Sequence, residues 1–293
     1  MSQNFGSQSM YGRLKRVLIK PPTAAFKSQA HLDENALIFG YMGVPDYELV
    51  LQEYNVFERI LLEHGIETLK LPADPDVGLD SIYAHDPVKV TRHGAIYLPM
   101  GKALRCPEGQ AARRFLEAQG VPTLGVIEPP AQIEGGDIVW LDEHTVAIAR
   151  GYRTNDAGIA AFRDLTRDFV AECITVPLPH GEGPEACLHL MSLISIVDRD
   201  LAVVYSKYLP VFFREYLLQR GIKLVETPDA EYDYLGTNVL ALGPRNCLTI
   251  AGNPVVKAGL EAAGAVVHTY PGREVSYRGT GGPTCLTCPV LRE

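Results

Sequence analysis

No run in this 293-residue chain approaches the ~20 consecutive apolar residues that a membrane-crossing helix needs, and stretches such as 201–205 end quickly. Residues 1–12 are polar and lack the hydrophobic segment of a secretory leader, so a cytoplasmic location is expected and a membrane is not. Clustered basic charge is missing too. The 27 Lys and Arg are scattered among 35 Asp and Glu, which gives a net charge of −8 and no stripe that could track phosphates. Nucleic acid is therefore not an expected partner, and an acidic surface favours a cationic small molecule. Cysteine is scarce, with six in the chain. Cys173, Cys187 and Cys247 sit in apolar segments and read as reduced core residues. Cys285 and Cys288 form a lone Cys-x-x-Cys with no second pair and no close histidine pair, which speaks against zinc. With 46% hydrophobic and 21% charged residues the chain has an ordinary globular composition, and one domain over 1–293 is expected.

What is present is a repeated plan. A strand-like stretch over 81–90, a turn at Arg92-His93-Gly94 and a return through 95–98 precede a helical pattern over 111–119, Gly120 and a strand over 123–127. The next unit reads 137–141, 145–149, a helix over 156–170 and a strand over 173–177. Two more follow, as 193–197, 201–205, helix 210–219 and strand 223–226, then 238–242, 247–250, helix 254–263 and strand 266–270. A looser first unit combines 13–19, an irregular insertion over 21–46, a helix over 47–64 and a strand over 67–71. Five ββαβ-like units with a period of about 45–50 residues predict an α/β propeller, helices outside and unit starts around a common centre.

Those unit starts carry Asp86, then Glu134-Gly135-Gly136-Asp137, then His189, then Gly236-Thr237-Asn238. A cysteine turn, Gly279-Thr280-Gly281-Gly282-Pro283-Thr284-Cys285, follows the last unit. Buried unpaired charge is strongly disfavoured, so these polar residues are better explained by a central pocket than by core packing. A thiol there becomes a nucleophile as thiolate, which an imidazole and a cationic substrate both favour. His189 would carry the proton to a leaving amine, Glu134 would orient the imidazole, and a carboxylate such as Asp86 suits the planar N–H fork of a guanidinium.

The ordered series Asp80-Ser81-Ile82-Tyr83-Ala84-His85-Asp86, Glu134-Gly135-Gly136-Asp137, Arg153-Thr154-Asn155, Leu188-His189-Leu190 and Gly282-Pro283-Thr284-Cys285 resembles the guanidino-group-modifying (pentein) superfamily. That superfamily comprises five-bladed α/β propellers and includes dimethylarginine dimethylaminohydrolases, arginine deiminases and amidinotransferases; the resemblance spans residues 13–293. It implies Cys285 as nucleophile, His189 as general acid and base, and Glu134 as third member. Asp86 would hold the guanidinium, Arg105 and Arg153 the substrate carboxylate, and Asp80 the amino end. The implied chemistry needs no cofactor or metal, the partner is a small-molecule guanidine, and a homodimer is compatible with it. Residues 21–46 stand where the family has a mobile flap.

The chain length is similar to that of the dimethylarginine hydrolases, which points to N-methylated arginine, citrulline and an alkylamine. Two positions depart from that pattern: His85 stands where those hydrolases have a second acid, and Met191 follows the histidine by two where deiminases have an aspartate. The ending Cys285-Leu286-Thr287-Cys288-Pro289 is closer to deiminases and amidinotransferases. Deimination of arginine and amidino transfer thus stand as alternatives. A binding propeller without an active site would not require a cysteine, a histidine and a glutamate at separate unit starts.

Overall fold

The computed structural model describes residues 4–293. Five three-stranded sheets form the blades, each combining one antiparallel and one parallel pairing. Blade two joins Val88–Thr91, Gly94–Tyr97 and Thr123–Val126, and blade three joins Ile138–Trp140, Thr145–Arg150 and Glu172–Pro177. Blade four joins Ile194–Asp198, Leu201–Val204 and Lys223–Glu226, and blade five joins Leu240–Gly243, Asn246–Ile250 and Val266–Tyr270. In blades two to five the first two strands are almost wholly buried, whereas the parallel third strand is partly exposed. The hairpins therefore face the ring's interior and the third strands its rim.

Blade one is assembled from both ends of the chain. Leu14–Ile19 pairs in parallel with Glu67–Lys70 and antiparallel with Cys288–Arg292, Leu18 lying opposite Cys288 and Leu14 opposite Arg292. The looseness of the first unit has this cause: its antiparallel partner is the last strand of the protein. Blade contacts then run around the ring, with Cys288–Arg292 against Val88–Thr91 and Leu240–Gly243 against Ile194–Asp198.

The rim helices are Tyr47–Glu63, Glu108–Ala118, Asp156–Thr166, Val211–Gln219 and Pro254–Ala262. Tyr47–Glu63 starts where the Asp46 side chain accepts from the Leu49 N–H, and it buries Val50, Tyr54, Phe57 and Leu61 at helical spacing. Four of the five helices end alike. After the second, for example, Val121 N–H reaches back to Leu116 C=O across Gly120, and Gly65, Gly221 and Gly264 occupy the same place with positive φ.

Three expectations are corrected. The stretch 81–90 is not one strand: Leu79–Ile82 is a 3₁₀ turn, and pairing begins at Val88 because Asp86 and Pro87 turn the chain toward the centre. The third helix stops at Thr166, whose C=O accepts from both Phe169 and Val170 N–H and so bends the chain before 170. The insertion 21–46 is not irregular, since it holds Pro22–Ala25 and Gln29–Asn35, the latter started by Ser28 accepting from His31 N–H. Among the described residues no helix is long and apolar enough to cross a membrane.

The helix-ending glycines give a direct test. At Gly221 (φ 76°) a Cβ would meet no atom within 4 Å, so a substitution there reports backbone strain alone. Gly221→Ala should cost about 1–2 kcal/mol in urea unfolding, and Gly221→Asn less, without altering the denaturant slope.

Candidate active site

The first strands of blades two to five aim their N-terminal ends at one cavity of about 240 Å³. Asp86, Cys187, His189, Asn238 and Cys285 line it, with Phe39 and Gly40 of the 21–46 insertion at its rim.

Each residue of the Glu134-Gly135-Gly136-Asp137 turn has a separate task. Glu134 Oε2 meets His189 Nε2 at 2.7 Å, and its Oε1 accepts from Gly101 N–H and from Arg153 Nε at 3.0 Å. Gly135 N–H donates to the Asp86 carbonyl, and Gly136 N–H donates to Asp86 Oδ1 at 3.0 Å. A side chain at Gly136 would overlap the His189 ring, so only glycine lets the imidazole lie against this turn. Asp137 accepts from Leu190 N–H and Thr154 Oγ, which fixes the backbone just past the histidine.

The cysteine turn is held from blade five. Thr284 N–H can only donate, so the Asn238 amide presents its oxygen there at 3.0 Å and its nitrogen to Cys285 Sγ at 3.2 Å. His85 N–H donates to the Cys285 carbonyl from the other side. Cys288 faces away, buried with its Sγ 3.6 Å from the Val88 carbonyl, so the two sulfurs of the Cys-x-x-Cys serve different surroundings.

The buried charged residues of this cavity are paired. Arg105 donates through Nη1 to Asp86 at 2.8 Å, through Nε and Nη2 to Glu108, and through Nη2 to the Tyr83 carbonyl. A guanidinium so committed orients Asp86, and Arg105 lines the cavity together with Arg153 and Lys102. Asp80 is paired with Lys102 at 2.6 Å, and Lys102 also donates to the Phe39 carbonyl, tying the insertion to the rim. Asp86, Glu134 and His189 bring three ligating atoms within 4.8 Å, but Arg105 and Arg153 already supply positive charge to that cluster.

A family model described as arginine deiminase matches residues 80–211 and 206–292. The chain belongs to the arginine deiminase family. It is 24% identical over 288 residues to the uncharacterized protein YkgA of Bacillus subtilis (strain 168), covering 96% of this chain and 93% of YkgA. It is 30% identical over 194 residues to the arginine deiminase of Mycobacterium avium (strain 104), covering 56% of this chain and 47% of that enzyme. The chain thus spans about half the length of the arginine deiminases it matches. The fold is that of a mutant dimethylarginine dimethylaminohydrolase from Pseudomonas aeruginosa complexed with citrulline, with a TM-score of 0.76 at 20% identity over 94% of this chain and 99% of that one. The five-bladed propeller and the guanidino-modifying superfamily expected from the sequence are thereby established.

Electrostatics set the resting state of this family member. Burial raises the Asp86 carboxyl, but Arg105, His189 and His85 outweigh it and hold Asp86 well below the usual carboxylate range. Glu134 likewise falls to about 2, its burial overcome by His189 and Arg153. Burial disfavours the His189 imidazolium, yet Cys187, Asp137 and Glu134 hold it well above an ordinary histidine. Burial, aided by Asp86 and Cys187, pushes the Cys285 thiol up to about 11, against the pull of Asn238 and His189.

Two cavity residues had no role in the sequence reading. Asn238 was legible as a polar unit start, but its clamp on the cysteine turn needs the fold. Cys187 was read as core, and this is corrected: it is exposed, with its Sγ 3.6 Å from His189 Nδ1. Its neighbours Ala186 and Leu188 are apolar, but Cys187 itself lies on the cavity wall.

A thiol raised this far reacts slowly at neutral pH. Alkylation of the Cys285 peptide by iodoacetamide, followed by mass spectrometry, should keep rising toward about pH 11. Levelling near the ~8.5 of an ordinary thiol would contradict this.

Proposed function

We propose that this chain is a cysteine-dependent hydrolase of an N-substituted guanidine, converting N-methylated arginine to citrulline and an alkylamine. The observation that carries the reading is a His189–Glu134 pair opening on the same cavity as Cys285 and Asp86.

Asp86 holds the guanidinium, and the cation beside Sγ releases the thiol proton to solvent. The thiolate attacks the guanidinium carbon to give a tetrahedral adduct. His189, already protonated, donates to the departing amine as the C–N bond breaks, leaving a thiouronium on Cys285. Neutral His189 then takes a proton from water, the hydroxide adds to the same carbon, and the C–S bond breaks as the adduct's hydroxyl proton passes to solvent, giving the ureido product and the thiolate, with His189 protonated again. Glu134 keeps the imidazole oriented and balances its charge through both steps. Arg153 and Lys102, both lining the cavity, are the cations assigned to the substrate carboxylate, with Asp80 for its amino group. Arg105 serves as the positioning residue for Asp86.

His85 supports the preference for a substituted guanidine. Burial and Lys89 hold it down to about 3, so it is neutral. Its Nδ1 lies 2.8 Å from the Thr287 carbonyl and its Nε2 2.6 Å from Lys89 Nζ, which leaves no acceptor for a substrate N–H. A buried N–H without an acceptor costs ~1–3 kcal/mol, and methylation removes it.

A guanidine panel with and without an acceptor amine, scored for ureido product, tests the reading. N-methylated arginine should exceed arginine in kcat/KM by about tenfold. Ureido product only from unsubstituted arginine would indicate a deiminase, and turnover only with an added amine would indicate a transferase. Cys285→Ser should abolish turnover, whereas Cys288→Ser should retain most of it; equal loss in both would point to a redox or metal role.

A further inference from the structure

Behind the catalytic cavity, along the ring axis, lies a second and smaller one of about 20 Å³, enough for one particle slightly larger than water. His85 belongs to both cavities and forms part of the wall between them. Two cations line the smaller one, Lys89 from blade two and Arg292 from the closing strand, exposed by 6% and 7%. Neither has a carboxylate partner among the described residues. Lys89 makes one hydrogen bond, to the neutral His85, and Arg292 donates through Nη1 to the Gly12 and Ala241 carbonyls.

The other polar groups in the wall add donors. Arg292 Nε, Trp140 Nε1 and Thr284 Oγ are buried with no partner among the described residues. Ser195, also in the wall, is satisfied, its Oγ donating to Thr237 C=O and accepting from Val239 N–H. Of the groups felt by Lys89, Cys288 is a thiol that burial pushes up to about 12 and so brings no charge, while Asp86 faces Arg105 and Gly136 N–H and Asp137 accepts from Thr154 and Leu190 N–H. Two buried positive groups beside unpartnered N–H and O–H donors form a setting that a water molecule satisfies only in part, since it brings no charge.

We propose that this axial cavity binds one small monovalent anion of the halide class, held by Lys89 and Arg292 with Trp140 Nε1 and Thr284 Oγ as neutral donors. The anion keeps Lys89 charged and donating to His85, whose backbone N–H supports the Cys285 carbonyl. The proposal is independent of the guanidine reading, because its test needs no substrate.

Protein prepared in sodium gluconate, whose anion is too large to enter, is titrated with chloride or bromide at constant ionic strength while thermal unfolding is followed. A saturable rise in Tm with either halide is expected, as for any ligand that binds the folded state. Lys89→Met should abolish the halide dependence. Crystals soaked in bromide should show an anomalous peak between Lys89 and Arg292. A Tm that responds equally to gluconate, or a bromide crystal with only water between those side chains, overturns the proposal, and both measurements use the unmodified chain should the variant fail to fold.

Discussion

Pairing between Leu14–Ile19 and Cys288–Arg292 joins the two ends of the chain, and the geometry of the centre follows from it. Without that pairing blade one is a parallel pair with an open edge, a poor arrangement for so short a sheet. With it, the residues just before the closing strand are drawn to the axis, and Cys285 comes to face Asp86, His189 and Asn238 from other blades. The same strand carries Arg292 to the opposite side of the axis. Loop closure over nearly the whole chain is entropically costly, but the cost grows only logarithmically with length, and a dense set of buried contacts offsets it.

The two sides of the axis handle charge differently. Around the catalytic cavity the buried acids have partners: Asp86 with Arg105, Glu134 with His189 and Arg153, Asp80 with Lys102. Breaking one partner away would leave an uncompensated buried charge, so each pair also fixes its neighbours' positions. On the other side Lys89 and Arg292 lack such partners among the described residues, and Lys89 meets the catalytic side through His85. An aspartate or glutamate at position 85 would pair with Lys89 and neutralise it. The neutral histidine cannot, so His85 leaves the axial cations uncompensated.

Much of this was legible in the sequence because the repeat has strong local signals. Alternating apolar hairpins, amphipathic helices and a glycine after four of the five helices each report short-range physics, and the unit boundaries fall where those signals change. The Glu134 to Asp137 turn could be placed at the centre by the same periodicity. What stayed hidden depends on contacts between distant residues. The completion of blade one by the last strand has no local signature, since residues 288–292 look like any short strand. Arg105 reads as a loop arginine until Asp86 and Glu108 are brought to it. Cys187 between apolar neighbours is indistinguishable from a core cysteine until the fold sets it on the cavity wall beside His189.

On the hydrolase reading, the resting site is chosen for restraint. Burial keeps Cys285 largely as thiol while the groups around His189 hold its imidazole well above an ordinary histidine, so the general acid is ready before the nucleophile is. Asn238 can stabilise a thiolate through its amide N–H, but one neutral donor does not outweigh burial and the nearby Asp86 charge. A cation placed between Asp86 and Sγ changes both: it cancels the carboxylate's repulsion and adds its own attraction to the developing thiolate. Guanidinium is that cation and also the electrophile, so the group that unlocks the nucleophile is the group it attacks. A neutral electrophile of the same size would meet a thiol, and selectivity for charged amidines then follows from protonation state as much as from shape.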